Sequence, residues 1–166
     1  NNEIGTIQDL KSIGNLIKEK NSNTIFHVDA VASFGKLPMK ISEWKADLVS
    51  VSGHKIHAPK GVGALYIRDG LKLRSLVDGG SQEFGMRAGT ENSIGIVGFG
   101  EACKIINEDG LEMGLEHTKK LYNYLKERVL SEIKDSCING TELLDNETYT
   151  SSPFLINLGF KGVKAE

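Results

Sequence analysis

Apolar side chains near the start of the chain recur at the spacing of an amphipathic helix, which predicts a helix over residues 6–20. Thr6 is placed to cap this helix, since a threonine hydroxyl can accept a hydrogen bond from an early amide of the first turn. The polar run at 21–23 marks the end of the pattern. The apolar face of the predicted helix consists of Ile7, Leu10, Ile13 and Ile17.

Short apolar runs after this helix read as buried strands. They cover residues 24–28, 47–52 and 62–68, and the first of them ends at Asp29. A single helical turn is predicted near 42–45. Because helices and strands alternate, the pattern favours an α/β layer with parallel pairing in at least part of its sheet.

The second half of the chain changes character. Residues 78–90 hold four glycines and no apolar period, which predicts a functional loop. Two long amphipathic helices are predicted over 92–107 and 111–134, followed by a polar segment at 139–152 and a strand over 154–158. The predicted buried stripe of the second helix is Leu121, Tyr124, Leu125, Val129 and Ile133.

Composition adds few constraints. The 39% hydrophobic and 25% charged fractions and the net charge of -2 are those of a globular protein, with no basic surface for nucleic acid and no membrane-spanning run. The two cysteines suit a reducing cytoplasm. We expect Cys103 to pack within its helix and Cys137 to lie near a turn. His27 is expected to be structural.

The residues that suggest chemistry follow two of the predicted strands. Ser52, His54 and Lys55 form one group, and Lys55 lies 26 positions after Asp29. Pyridoxal phosphate requires a lysine amine, a carboxylate beside its pyridine nitrogen, and hydroxyl, imidazole or backbone donors around its phosphate. Taken separately, a strand-end aspartate is more often a cap and a lysine a surface charge. A metal pair formed by His54 and His57 is disfavoured, because no acidic or thiol ligand has supporting spacing.

Longer motifs connect these residues to a known family. VDAVASFGK at 28–36, SGHKIHAPKGVGALY at 52–66 and GGSQEFGMRAGTEN at 79–92 resemble, in order and spacing, the signatures of cysteine desulfurases of the NifS/IscS type. NNEIGTIQ at 1–8 and FLINLGFKGV at 154–163 fit the same family. These enzymes belong to the class V aminotransferase group of fold-type I pyridoxal-phosphate enzymes.

The resemblance implies an architecture. Residues 1–105 would be the C-terminal part of the cofactor-binding large domain, a mostly parallel sheet with flanking helices. Residues 106–166 would be a connecting helix and the incomplete start of the small C-terminal domain. Because family members are more than twice as long, we expect the chain to be the central part of a longer protein, with a sheet edge and apolar helix faces left uncovered.

The resemblance also implies roles around the cofactor ring. Lys55 would hold pyridoxal phosphate as a Schiff base and then act as the proton-transfer base. Asp29 would pair with the pyridinium nitrogen, and Asn2 would donate to the phenolic oxygen. The family carries a glutamine donor to that oxygen where this chain has Ala32, and a lost hydrogen bond to a charged oxygen costs about 1.5–3 kcal/mol.

Further roles concern the phosphate. Ser52 and His54 would bind it directly. Thr90 would reach the phosphate of a partner subunit, since the family forms homodimers with sites near the interface. Glu83 and Arg87 match the motif and are expected only to shape their loop.

The implied activity is the conversion of L-cysteine to L-alanine, with the sulfur passed to an enzyme persulfide and then to an acceptor or scaffold protein for iron–sulfur cluster or thio-cofactor synthesis. The persulfide-forming cysteine and the substrate-binding arginine are expected beyond Glu166. Two alternatives remain open at this point. One is another class V enzyme, a selenocysteine lyase or an aminotransferase. The other is a non-catalytic piece that serves as a binding module.

Overall fold

The structure is a computed structural model that describes residues 1–141 and 150–164. Its helices and strands alternate through the first two thirds of the chain, and a strand pair closes the described part. The predicted domain division between residues 1–105 and 106–166 stays a prediction.

The chain forms two compact units. The first, here called the sheet unit, contains Lys11–Phe34 and Met39–Glu108. The second, here called the hairpin unit, contains Asn1–Leu10, Gly35–Pro38 and Asp109–Glu166.

The sheet unit carries three helices and three strands, and most of these elements lie where the apolar pattern predicts them. Two single 3-10 turns, Gly53–Ile56 and Glu83–Gly85, interrupt its loops. The elements are α1 (Leu10–Lys20), β1 (His27–Asp29), α2 (Ile41–Trp44), β2 (Leu48–Ser52), β3 (Gly63–Ile67) and α3 (Ser93–Asp109).

The sheet has the order β1-β2-β3. β1 and β2 are parallel, with Asp29 opposite Ser50, which confirms the expectation of parallel pairing in part of the sheet. β3 returns antiparallel to β2, with Gly63 opposite Ser52. A Cβ at Gly63 would lie 2.5 Å from the Val51 carbonyl oxygen, so the close approach of β3 requires glycine.

Helix α1 packs very closely on the C-terminal end of α2. A Cβ at Gly14 would lie 1.8 Å from the Trp44 carbonyl oxygen, so no larger residue fits there. Beneath the helices, Val28 and Val49 face each other across β1 and β2 and are both buried. The residues on either side of Val28 are exposed and those on either side of Val49 are half-buried, which gives the sheet one packed face and one more open face.

Helix α3 is held by a cluster that also includes the turn after β2. Phe34 and Phe99 contribute a tilted ring pair with centroids 5.9 Å apart. Cys103 packs against the same cluster, which confirms its predicted packing role. The buried centre of the cluster is Ile56, Ala58 and Ala102.

The hairpin unit contains α4 (Leu111–Glu132), β4 (Ser136–Asn139) and β5 (Asn157–Phe160). The two strands pair antiparallel, with Cys137 opposite Gly159. Cys137 itself lies inside β4, with a turn at Lys134 and Asp135 just before the strand and a bend at Gly140 after it, as the prediction of a nearby turn requires. The predicted strand over 154–158 is displaced toward the C-terminus.

The N-terminal start of α1 also differs from its prediction. Thr6 does not cap the helix, because its backbone forms an isolated antiparallel bridge with Ser151. The Ile7 amide donates to the Thr150 carbonyl at 2.9 Å. This pairing holds the segment extended, so α1 begins only at Leu10.

The predicted buried stripe of α4 is wrong. Leu121, Tyr124 and Leu125 are exposed, whereas Leu115 and Tyr122 are buried. Because successive residues of a helix are about 100° apart, burying Tyr122 in place of Leu121 rotates the packed face by one position. Apolar residues occur on several sides of α4, so the pattern did not decide between these faces.

Exposed apolar side chains occur in the described residues as expected. β3 forms a sheet edge whose Leu65 and Tyr66 are exposed. Phe84 and Leu76 are each 97% exposed. None of the helices in the described part of the chain is both long enough and apolar enough to cross a membrane.

Candidate active site

The C-terminal ends of β1 and β2 bring polar side chains to one face of the sheet. Asp29 is the last residue of β1 and lies opposite Ser50 in the parallel register. Side chains two residues apart share a face of a strand, so His27 accompanies Asp29 and Ser52 accompanies Ser50. In α/β proteins, ligand sites assemble at this end of parallel strands.

The turn that follows β2 presents Lys55. Gly53 and Ile56 are buried and anchor the 3-10 turn, while His54 and Lys55 between them are exposed. The Gly53 amide donates to the Val62 carbonyl at 2.9 Å. A Cβ on Gly53 would lie 3.0 Å from a Val62 methyl carbon, so glycine lets the chain turn closely enough to expose the next two residues.

Ser52 and His54 are already joined. The Ser52 hydroxyl and His54 Nδ1 lie 2.7 Å apart. This contact fixes the imidazole orientation and leaves Nε2 as the ring nitrogen available to a ligand. A hydroxyl and an imidazole side by side are donors suited to a phosphate oxygen.

Asp29 makes one local contact. Its Oδ1 accepts the Val31 amide at 2.9 Å, and the Ala30 amide donates to the Ser50 carbonyl at 2.9 Å. These bonds fix the backbone at the end of β1. Within the described part of the chain, Asp29 has no ion pair, and the Lys55 amine has neither a hydrogen bond nor an ion pair.

The chemistry of this donor set fits pyridoxal phosphate. An exposed amine, an unpaired carboxylate and a hydroxyl–imidazole pair correspond to the needs of its aldehyde, pyridine nitrogen and phosphate. Lys55, Asp29, Ser52 and His54 all belong to the sheet unit. Asn2 belongs to the hairpin unit, and its role stays a prediction.

Thr90 follows a loop stabilised by its own contacts. The Gly89 amide donates to Gln82 Oε1 at 3.0 Å, which closes the segment between them. Glu83 and Phe84 adopt positive φ angles of 49° and 57° inside the turn. Apart from the 3-10 turn, the region is the loop that the glycines predict. Thr90 is exposed, and its reach toward a partner subunit stays a prediction.

One contact at the site escaped the sequence reasoning. His27 Nε2 lies 2.7 Å from Ser50 Oγ, so His27 reaches forward to the neighbour of Asp29. Alternation alone places His27 on the face of Asp29, and that signal was available in the sequence. The register of β1 with β2, which brings Ser50 within reach, was not.

At the opposite end of the same strands, Asp47 is fully buried and saturated. Its carboxylate accepts Lys18 Nζ at 2.5 Å, the Phe26 amide at 2.7 Å and Arg68 Nε at 2.7 Å. Burial alone would raise the pKa of Asp47, but hydrogen bonds from its three donors outweigh this and lower the pKa from 3.8 to about 2. Asp47 therefore acts as a structural anchor.

The remaining reactive side chains show no further site. Burial raises the pKa of the Cys103 thiol, in keeping with its packing role. Cys137 is exposed on β4. Among residues 1–141 and 150–164, no group of three or more histidine, cysteine, aspartate or glutamate side chains is arranged to hold a metal ion.

A family model covers the complete chain. The model described as aminotransferase class V matches residues 1–166. The chain belongs to the class V aminotransferase family. This membership confirms the α/β fold class predicted from the motifs.

Relatives of this class V chain include a cysteine desulfurase of Nostoc sp., which is 43% identical over 168 residues and matches 100% of this chain. The chain spans 39% of the length of that relative. A solved NifS-like protein is 38% identical with a TM-score of 0.88, over 98% of this chain and 42% of the other. The structure of SspA in complex with cysteine is 37% identical with a TM-score of 0.66, over 84% and 37% respectively. The predicted resemblance to cysteine desulfurases is confirmed.

Proposed function

We propose that the complete protein is a pyridoxal-phosphate-dependent cysteine desulfurase. It converts L-cysteine to L-alanine and transfers the sulfur to a cysteine thiol of the enzyme as a persulfide. The observation that carries this proposal is the donor set at the ends of β1 and β2, in a chain that is 43% identical to part of a cysteine desulfurase.

Side chains at the ends of β1 and β2 in the sheet unit would hold the cofactor. Lys55 would bind it through its amine, and the Asp29 carboxylate would accept a hydrogen bond from the protonated pyridine nitrogen. Ser52 and His54 would donate to the phosphate. Asn2 would donate to the phenolic oxygen. When bound, pyridoxal phosphate supplies an electron sink for the bonds at the substrate α-carbon.

Residues of this chain then have defined tasks. Asp29 keeps the ring nitrogen protonated, which maintains the electron demand of the ring. The Lys55 amine would carry a proton to or from the substrate carbon atoms. The phosphate contacts of Ser52 and His54 fix the ring so that these groups stay aligned.

The sulfur balance requires one more group. The thiol of an enzyme cysteine attacks the substrate sulfur, the carbon–sulfur bond breaks, and a proton replaces sulfur on carbon to give alanine. The persulfide then passes its sulfur to an acceptor or scaffold protein for iron–sulfur cluster or thio-cofactor synthesis. We place this enzyme in the cytoplasm as a homodimer, with Thr90 reaching the phosphate held by the partner subunit.

Incubation of the full-length protein with pyridoxal phosphate and L-cysteine tests the proposal. Stoichiometric alanine and persulfide are the expected products. Absence of alanine, despite cofactor bound at Lys55, would contradict desulfurase activity. Release of alanine from selenocysteine alone would instead assign the protein to the selenocysteine lyases, and amino-group exchange with a keto acid would assign it to the aminotransferases.

A further inference from the structure

The His27–Ser50 pair lies on the open face of the sheet beside the proposed cofactor carboxylate. His27 Nε2 and Ser50 Oγ are 2.7 Å apart. Ser50 faces Asp29 in the register of β1 and β2, and neighbouring strands lie about 4.8 Å apart. His27, Asp29 and Ser50 therefore share one face of the sheet, and the serine oxygen is turned toward the imidazole.

The hydroxyl bonds to the imidazole and not to the carboxylate. Asp29 Oδ1 accepts the Val31 amide at 2.9 Å, and within the described residues no hydrogen bond joins Asp29 to Ser50. The hydrogen bond holds Ser50 Oγ toward His27, whichever of the two groups carries the shared proton. While His27 engages Ser50, the second oxygen of Asp29 stays open to another donor.

Loss of the imidazole would change this arrangement. A ligand that covers this face excludes water. A Ser50 hydroxyl without His27 would then donate its hydrogen bond to Asp29, the carboxylate opposite it. A carboxylate that accepts a hydrogen bond from a hydroxyl has less negative charge available for a second donor. It would hold a proton on a ring nitrogen less firmly.

We propose that His27 is a positioning residue that keeps the Ser50 hydroxyl away from Asp29 and so preserves the carboxylate for the pyridine nitrogen of the cofactor. This role rests on the proposed function. It acts through Ser50, and His27 itself does not touch the cofactor. It also gives a reason for a histidine on this open strand face, where β propensity alone favours a branched or aromatic residue.

A double-mutant cycle in the full-length protein tests the role. The variants are His27→Phe, Ser50→Ala and the two combined. Each is loaded with pyridoxal phosphate labelled with ¹⁵N in the ring, and the ¹⁵N chemical shift of the pyridine nitrogen and the cofactor dissociation constant are measured.

His27→Phe is expected to move the ring nitrogen signal toward that of neutral pyridine and to weaken cofactor binding about tenfold. Ser50→Ala is expected to resemble the wild type. The double variant should regain the wild-type signal and affinity, because the competing hydroxyl is gone. A double variant as impaired as His27→Phe, or a His27→Phe variant identical to the wild type, would overturn the positioning role.

A cofactor-free measurement separates this inference from the proposed function. In the wild-type protein without cofactor, ¹H–¹⁵N spectra of the histidine rings should show a His27 Nε2 signal that shifts in Ser50→Ala. No shift would show that the pair does not exist and would overturn the inference alone. A wild-type protein with an intact pair that never binds pyridoxal phosphate would overturn the proposed function, and the assignment toward the cofactor with it.

Discussion

Two aspartates at opposite ends of the same pair of strands have contrasting surroundings. Asp47 precedes β2, is fully buried, and accepts hydrogen bonds from Lys18, Phe26 and Arg68. Asp29 ends β1, is exposed, and accepts one local amide from Val31. The first carboxylate is saturated by the fold, and the second keeps capacity for a ligand.

The contrast separates stability from binding. A buried carboxylate surrounded by donors stabilises the fold as long as all of its partners remain. An exposed aspartate at a strand end that accepts one local amide contributes little to the fold, and it remains able to bind a ligand. Substitutions at the Asp47 end should therefore change the stability of the fold, and substitutions at the Asp29 end should change ligand binding.

Lys55→Ala should have the largest effect on binding. Because its amine is the proposed attachment point, covalent cofactor binding should disappear completely, while the free energy of unfolding changes by no more than about 0.5 kcal/mol at this exposed position. Absorbance of the bound cofactor and denaturant titration measure the two quantities. Lys60→Ala, at an exposed lysine of the same segment, is the matched control and should keep the cofactor. Covalent binding that survives in Lys55→Ala would break the assignment.

Asp47→Asn should have the largest effect on stability. It leaves two cationic donors facing a weaker acceptor, so the free energy of unfolding should fall by about 3 kcal/mol in denaturant titrations. Asp69→Asn, at an exposed aspartate, should change it by no more than about 0.5 kcal/mol. Equal effects of the two substitutions would remove the distinction between the saturated and the open carboxylate.

The same anchor predicts a pH dependence. The pKa of Asp47 is lower in the folded protein, at about 2, than its usual 3.8, so the unfolded chain binds the proton first as pH falls. The contribution of Asp47 to the free energy of unfolding is complete above pH 3.8 and is lost as pH falls toward 2. Acid titration of stability should show this loss in the wild type and a shallower slope in Asp47→Asn. Equal slopes would contradict the anchoring role.

Ser52→Ala should have an intermediate effect on binding and almost none on the fold. It removes one phosphate donor and the partner that orients His54, so the cofactor dissociation constant should rise about tenfold. Ser42→Ala, at an exposed serine in α2, should leave the constant unchanged. Fluorescence titration with pyridoxal phosphate provides the comparison. The same affinity in both variants would argue against a phosphate site at the end of β2.

Ala32→Gln should have the smallest effect. An added amide donor to the phenolic oxygen favours the deprotonated form of the bound cofactor, so the pH at which its absorbance titrates should fall by about one unit. Ala32→Leu has similar bulk and no donor, and it should leave this pH unchanged. An identical titration in wild type and Ala32→Gln would show that position 32 does not reach the cofactor.

Sequence patterns predicted the parts of the fold that depend on local periodicity. The strand over 47–52 was recognised from its apolar run and is found at Leu48–Ser52. The bridge of Thr6 could not be predicted, because its partner Ser151 is distant in the sequence. β4 was missed because its short sequence mixes polar and apolar residues without a clear run.

The candidate site was predictable to the extent that motifs carry it. Asp29 and Lys55 were recognised by type, spacing and strand-end position. The Ser50 hydroxyl was not, because its importance depends on the register that sets Ser50 opposite Asp29 and within reach of His27. Pairwise register is a tertiary property, and a single strand does not encode it visibly.

The most direct test of the account is to locate the covalent cofactor. Full-length protein is loaded with pyridoxal phosphate, reduced with borohydride, digested and mapped by mass spectrometry. We expect a single modified peptide, with the cofactor on Lys55 and none on Lys60. Modification spread over surface lysines, or concentrated on a lysine other than Lys55, would contradict it.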